Sequence, residues 1–361
     1  MKRVLEIDEE DKNELAERIA SASHHRFNLL SSRGKPSSNE WTHLAAFVAV
    51  DENDHIDVIS LGTGTKCLGG EKNERGTQGC LLHDSHAEVI ARRSLLRLFY
   101  DEIIRGTNST LVKQEEDKKF VWNESLRLYL FVSYPPCGAA AYLSDPVKRP
   151  KFEHKSLNLS NEQEQLYLKP GKGYQTTSLS CTNKINRWIY QGLEGSLLNQ
   201  FIISPVKLSG LVIQTTVDLS SVFKDTLMIS VKNSFECGPS SERTRPCAMS
   251  MAWWKGLDVS TPVVTVDGYP LGQVKRLRHR QEYASPIAKC SLFKLYLELK
   301  ENLSSSSSSV TTYAQAKAFS SNSLRDQFMT KHPGWLQTDS DVFYSFTINS
   351  SSSSKRDKDE E

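Results

Sequence analysis

The 361-residue chain has no run of eighteen apolar residues, so no membrane-crossing helix is expected. Its start, M-K-R-V-L-E-I-D-E-E-D, carries a basic pair but no apolar stretch behind it. No secretory signal is therefore expected, and an intracellular location follows, with nothing to separate nucleus from cytoplasm. No internal repeat is found. The seven cysteines (67, 80, 137, 181, 237, 247, 290) are odd in number and scattered. That argues against a disulfide framework and leaves metal binding or plain burial. A strong charge of either sign is also lacking: the formal net charge is +2, which by itself says little about nucleic acid.

What is present suffices for a large core, with 38% of residues hydrophobic, in one big domain or two small ones. H-L-A-A-F-V-A-V (43–50) and D-V-I-S-L (57–61) read as strands of a hairpin turning at D-E-N-D-H. The segment S-H-A-E-V-I-A-R-R-S-L-L-R-L-F-Y, apolar on more than one side, reads as a buried helix capped near Asp84 or Ser85. L-R-L-Y-L-F-V-S (126–133) and G-L-V-I-Q-T-T-V (210–217) read as strands, Asn183 to Phe201 as helix, and Asp8 to Ala22 as an N-terminal helix. Strands alternating with helices predict a layered α/β domain. Polar stretches near 153–165 and 302–310 read as insertions, and 347–361 as a disordered tail. The expected division is a helical extension over 1–29 and one domain over 30–346.

Chemistry concentrates in H-D-S-H-A-E-V-I-A-R-R (83–93). A histidine opening a helix can bind zinc, and a carboxylate two residues on can reach a metal-activated water without binding the metal. H-x-E followed by P-C-x-x-C is the signature of zinc deaminases. Here His86-Ala87-Glu88 is followed by Pro136-Cys137, but position 140 is alanine, so a third ligand has to come from elsewhere. Cys181 and Cys247 are both candidates, and spacing does not choose between them. Arg92 and Arg93 sit inside an apolar helix with no acidic partner near in sequence. Either they reach water at the helix end or something anionic faces them.

The motifs T-G-T-K-C (63–67), D-S-H-A-E-V-I-A-R-R (84–93), P-P-C-G (135–138), K-P-G-K-G (169–173) and S-C-T-N-K-I-N-R-W (180–188) occur in this order. Together they resemble the adenosine deaminases that act on RNA, from about Leu30 to Phe343. The branch they resemble edits tRNA-Ala just 3′ of the anticodon. The chain has no room for separate duplex-RNA-binding domains, which favours that branch. The resemblance implies a single cytidine-deaminase-like α/β/α domain, elaborated by a C-terminal helical part around a buried inositol polyphosphate. It implies a hydrolase of adenosine's cyclic amidine C–N bond, with zinc on His86, Cys137 and Cys181 and Glu88 as proton carrier. Inositol hexakisphosphate is implied at Arg92, Arg93, Lys184, Arg187, Trp188, Tyr313, Lys317, Trp335 and Asp341. Thr65 and Lys66 are implied beside the target nucleotide. A relay through Lys184, Asp84 and Lys169 towards the zinc is a further expectation.

Some positions depart from the family pattern: Ala139 and Asn183 replace aspartates, Thr182 a serine and Glu194 a glutamine. They bear on the hydrogen bonds around the ligands. The run Lys275 to Arg280 reads as a phosphate-tracking stretch, part of which can also line the inositol-phosphate pocket, or as solvated surface. Trp253 and Trp254 read as base-stacking or core residues. tRNA is the expected partner, with no membrane and no obligate protein partner evident. Two other readings remain: a deaminase of another RNA or nucleoside, and a catalytically silent RNA-binding protein stabilised by inositol phosphate.

Overall fold

Residues 44–50, L-A-A-F-V-A-V, are apolar at every position, as expected of a strand covered on both faces. The computed structural model describes residues 9–69, 77–115, 118–145, 165–170, 176–303, 310–320, 323–335 and 344–348, and all seven of these residues are buried in it. The strands are β1 (Glu40–Trp41), β2 (Leu44–Val50), β3 (Ile56–Thr63), β4 (Thr65–Cys67), β5 (Asp84–His86), β6 (Val112–Gln114) and β7 (Phe120–Trp122). They continue with β8 (Arg127–Val132), β9 (Gly210–Gln214), β10 (Met228–Val231), β11 (Arg245–Pro246), β12 (Met249–Trp254), β13 (Val263–Val266) and β14 (Tyr269–Pro270). The helices are α1 (Glu9–Leu29), α2 (Ala87–Arg105), α3 (Ala139–Ser144), α4 (Cys181–Gln191), α5 (Gly195–Leu198), α6 (Lys289–Leu303), α7 (Tyr313–Ala318) and α8 (Ser323–Lys331).

Eight strands form one mixed sheet in the order β10-β9-β8-β2-β3-β12-β13-β14. β2 and β3 are the expected antiparallel hairpin, while β8, β9 and β10 run parallel. Side chains of β2 alternate between two cores. Ala45, Phe47 and Ala49 join the core of α2, whereas Leu44, Ala46, Val48 and Val50 join Leu15, Ile19 and Phe27 of α1. Helices on both faces make the α/β/α layering. Trp253 and Trp254 are buried in β12, where their indole nitrogens donate to Leu257 O and Asp101, so they are core rather than base platforms.

Small residues set how closely α2 approaches the sheet. Ser60 Oγ donates to Ala91 O, Ser94 Oγ donates to Leu61 O, and Gly62 lies directly under the helix. A Cβ at Gly62 would stand 2.3 Å from Ala91 N and 2.6 Å from Ala87 O. Gly64, at φ +136, turns the chain from β3 into β4, and its carbonyl accepts the Ala87 N–H.

Four boundaries differ from expectation. Asp84 and Ser85 do not cap α2; they lie in β5, paired with β4, and α2 begins at Ala87. The helix expected over 183–201 is two helices, because Gly192 adopts φ +99 and ends α4. The strand expected over 210–217 stops at Gln214, and α1 extends beyond Ala22 to bury Phe27. The insertion near 153–165 lies almost wholly outside the described residues, as do 304–309 and 349–361.

Gly62→Ala forces α2 away from β3 and is expected to cost about 1–3 kcal/mol, as overpacking does. Urea unfolding checks this; an unchanged midpoint contradicts it.

Candidate active site

β4, β5 and the start of α2 place the first site residues. Thr65 pairs with His86, Lys66 with Ser85 and Cys67 with Asp84. The loop after β8 brings Cys137, and α4 begins at Cys181, with Ser180 as its cap. His86, Cys137 and Cys181 offer ligand atoms that all lie within 4.8 Å of one another, forming the one group among the described residues that could hold a metal ion. Cys247 is elsewhere, its N–H donating to Trp41 O beside β11. Geometry thus brings Cys181, and not Cys247, beside His86 and Cys137.

Glu88, one helical step into α2, is 3% exposed. The Cys181 thiol donates to its Oε2 at 3.2 Å. Burial pushes the Glu88 carboxyl above its ordinary value, against the pull of His86. Lys169, 2% exposed, donates to Cys181 Sγ at 3.1 Å and to both Asp84 oxygens at 2.9 and 2.7 Å. Asp84 also accepts from Lys184, from Ser178 Oγ at 2.9 Å and from His86 N–H at 3.1 Å. Burial works against charge on both Lys169 and Asp84. Their mutual attraction outweighs it, with help from the thiols and Lys184, and holds Lys169 above and Asp84 well below its ordinary value.

Two of the departing residues hold the loops. Thr182 Oγ1 donates towards Pro136 O at 3.1 Å, on the loop that carries Cys137. Asn183 accepts from Tyr167 N–H and Ser180 Oγ and donates to Gln165 O, a donation no carboxylate could make. Nothing in the structure explains alanine at 139.

Sequence reasoning missed His43 and Ser178. His43 stacks on Tyr134 with centroids 4.7 Å apart, and burial lowers its pKa to about 3. Its Nε2 and Thr65 Oγ1 are buried with no hydrogen-bond partner among the described residues. A histidine beginning a strand gives no sign of this in one dimension. Lys66 is exposed beside Thr65.

Behind the site lies a cavity of about 370 Å³. Arg92, Arg93, Lys184, Arg187 and Lys317 line it, as do Trp188, Tyr313 and Trp335. Asp341 lies outside the described residues. Arg325 is a sixth cation on its wall, unforeseen in the sequence. None of Lys275 to Arg280 lines it. Arg92 lies over the Trp188 ring at 5.2 Å, and Arg187 over Trp335 at 5.4 Å. Burial brings both guanidinium groups down to about 10. Arg92 Nε and Gln191 Nε2 are buried with no hydrogen-bond partner among the described residues. Lys184 and Ser178 line the cavity and also bond Asp84, so one hydrogen-bonded chain runs from its wall to Cys181.

Residues 60–169 and 153–236 match the adenosine-deaminase (editase) domain family. Over 343 residues the chain is 29% identical to the tRNA-specific adenosine deaminase 1 of Drosophila melanogaster, covering 80% of this chain and 83% of that protein. The Schizosaccharomyces pombe protein of the same name is 32% identical over 232 residues, 56% of this chain and 58% of that one. The double-stranded RNA-specific adenosine deaminase of Rattus norvegicus is 28% identical over 218 residues, 52% of this chain but 18% of that protein.

Two outcomes are expected here. Cys181→Ala lowers bound metal, read by elemental analysis of purified protein, and Cys247→Ala does not; equal loss in both contradicts the geometry. Asp84 is held below its unfolded value, so its stabilisation is complete above about pH 4 and is lost as pH falls through the lower, folded value. Asp84→Asn should therefore cost about 3–5 kcal/mol at neutral pH, as breaking a buried pair does, with the gap closing only in strong acid. A gap that closes between about pH 5 and 7 is the contrary result.

Proposed function

We propose that this chain, an adenosine deaminase carrying an editase domain, converts adenosine to inosine in tRNA, at the adenosine just 3′ of the anticodon in tRNA-Ala. The observation that carries the reading is the convergence of one imidazole, two thiols and one buried carboxylate at a single point. The donor set fits zinc. His86 Nδ1 and Cys137 Sγ stand 3.7 Å apart, and two such ligands on one tetrahedral zinc are roughly 3.6 Å apart. When bound, zinc supplies a Lewis acid that activates water near neutral pH.

The chain's own residues supply the rest. Glu88, buried and hydrogen-bonded by the Cys181 thiol, takes one proton from water and delivers it to N1 of adenine, then moves the remaining proton of the oxygen now bonded to C6 onto the amino group, which leaves as ammonia. Thr65, with its unpartnered hydroxyl across from His86, meets the ribose or base, and exposed Lys66 meets phosphate. A base has to leave its stack to reach thiols this deep, and an anticodon loop offers an unpaired one. tRNA is favoured over a long duplex because the fly relative named for tRNA is matched over 83% of its length and the rat duplex enzyme over 18%.

The same reading assigns an inositol polyphosphate to the cavity, the hexakisphosphate being what the resemblance implies. The residues fit such a group. Among the described residues six cations line about 370 Å³ with one acid, Glu194, and two buried N–H donors, Arg92 Nε and Gln191 Nε2, have no acceptor. Lys184 then joins polyanion and metal group through Asp84.

Incubation with unmodified tRNA-Ala, followed by reverse transcription and sequencing, should give one A-to-G change 3′ of the anticodon, absent with Glu88→Ala. No change with folded, zinc-loaded protein would remove the substrate assignment. Lys184→Met should depress editing more than thermal stability; equal loss of both would make Lys184 purely structural.

A further inference from the structure

One wall of the cavity works against the others. Glu194 lines it among the six cations and is 3% exposed. Its Oε2 accepts the Val206 N–H at 3.0 Å. The carboxylate lies over Gly192, where an added Cβ would stand 2.5 Å from Oε2 and 3.0 Å from Oε1. Position 192 therefore has to be glycine for the acid to sit there. The neighbouring cations are turned to other work. Arg92 donates to Leu193 O at 2.8 Å, and Lys207 donates to Ile189 O at 3.0 Å and to Tyr190 O. Glu194 forms no ion pair among the described residues. Burial raises its carboxyl above the ordinary value, against its backbone hydrogen bonds and Arg92.

A ligand that fills the cavity with phosphates on every side brings one of them to this acid. Two unit charges of like sign about 4 Å apart, at the screening usual inside proteins, correspond to a loss of roughly a hundredfold to a thousandfold in affinity. A hydroxyl at the same corner reverses the sign, because it donates a hydrogen bond to the carboxylate. A repulsive element of this kind discriminates between ligands that the cations alone would all accept.

We propose that Glu194 is a specificity residue of the cavity. It selects an inositol phosphate that presents a free hydroxyl at this corner, a pentakis- or tetrakisphosphate, over the fully phosphorylated hexakisphosphate. The inference rests on the reading that the cavity holds an inositol polyphosphate, and it fixes which members of that class are held.

The test uses the full chain purified from a eukaryotic host, as parent and as Glu194→Gln. The amide keeps an oxygen for the Val206 N–H and removes the charge. Bound ligand is released with acid, and its phosphates are counted by mass spectrometry against the composition of the host extract. The parent is expected to enrich species with a free hydroxyl over hexakisphosphate by about tenfold or more, and Glu194→Gln to lose that enrichment. Hexakisphosphate at the host ratio in both proteins overturns the role of Glu194 and leaves the polyphosphate assignment standing. No inositol phosphate in either protein overturns the assignment itself, and the inference with it. Should Glu194→Gln fail to accumulate, the parent's thermal midpoint decides. Added pentakisphosphate is expected to raise it more than hexakisphosphate does, and an equal or smaller rise overturns the proposal.

Discussion

A single carboxylate, Asp84, organises the interior of this protein. It is 8% exposed and takes hydrogen bonds from two lysines, a serine and the backbone N–H of His86. A buried acid with one cation barely offsets its desolvation; one with two cations leaves positive charge over. That surplus falls on Lys169, which spends it on the Cys181 sulfur. The hub therefore sets positive charge against the Cys181 sulfur, opposing the burial and the Cys137 and Glu88 charges that raise this thiol above its ordinary value, and it orients the strand that carries His86. Its other lysine, Lys184, faces the cavity. One hydrogen-bonded chain thus joins the group of His86, Cys137 and Cys181 to the cavity wall.

The backbone serves this arrangement. Gly62 and the small residues Ala87, Ala91 and Ser94 let α2 lie close on β3, which brings Glu88 towards the loop of Cys137. The same helix, a turn further on, turns Arg92 and Arg93 to the cavity. The question raised by two arginines in an apolar helix is thus answered by place: they line a wall, partly buried, beside Trp188 and four other cations.

Much of this was legible in one dimension, and the limits have physical causes. The β2–β3 hairpin and β8 were readable because strands covered on both faces are apolar throughout. His86, Glu88 and Cys137 were readable because their spacing follows from a helix start and a strand end. Cys181 over Cys247 was readable only through the resemblance, since distance along a chain does not say where the fold takes a cysteine. The helix break at Gly192 was missed because a single glycine is also tolerated within helices. His43, Ser178 and Arg325 were missed because each acts through neighbours distant in sequence: Tyr134 for His43, Asp84 for Ser178 and the cavity wall for Arg325. Glu194 was visible as an oddity, and only the cavity gave it a context.

The claim at the centre of this account is that Lys184 reaches the metal group through Asp84. A double-mutant cycle tests it most directly, with zinc affinity measured by chelator competition in the parent, Lys184→Met, Asp84→Asn and the double variant. The account predicts that both single changes weaken zinc binding and that the double variant binds no more weakly than Asp84→Asn alone. Losses that simply add would mean that Lys184 and Asp84 act separately, and the two sites would then be neighbours rather than one network.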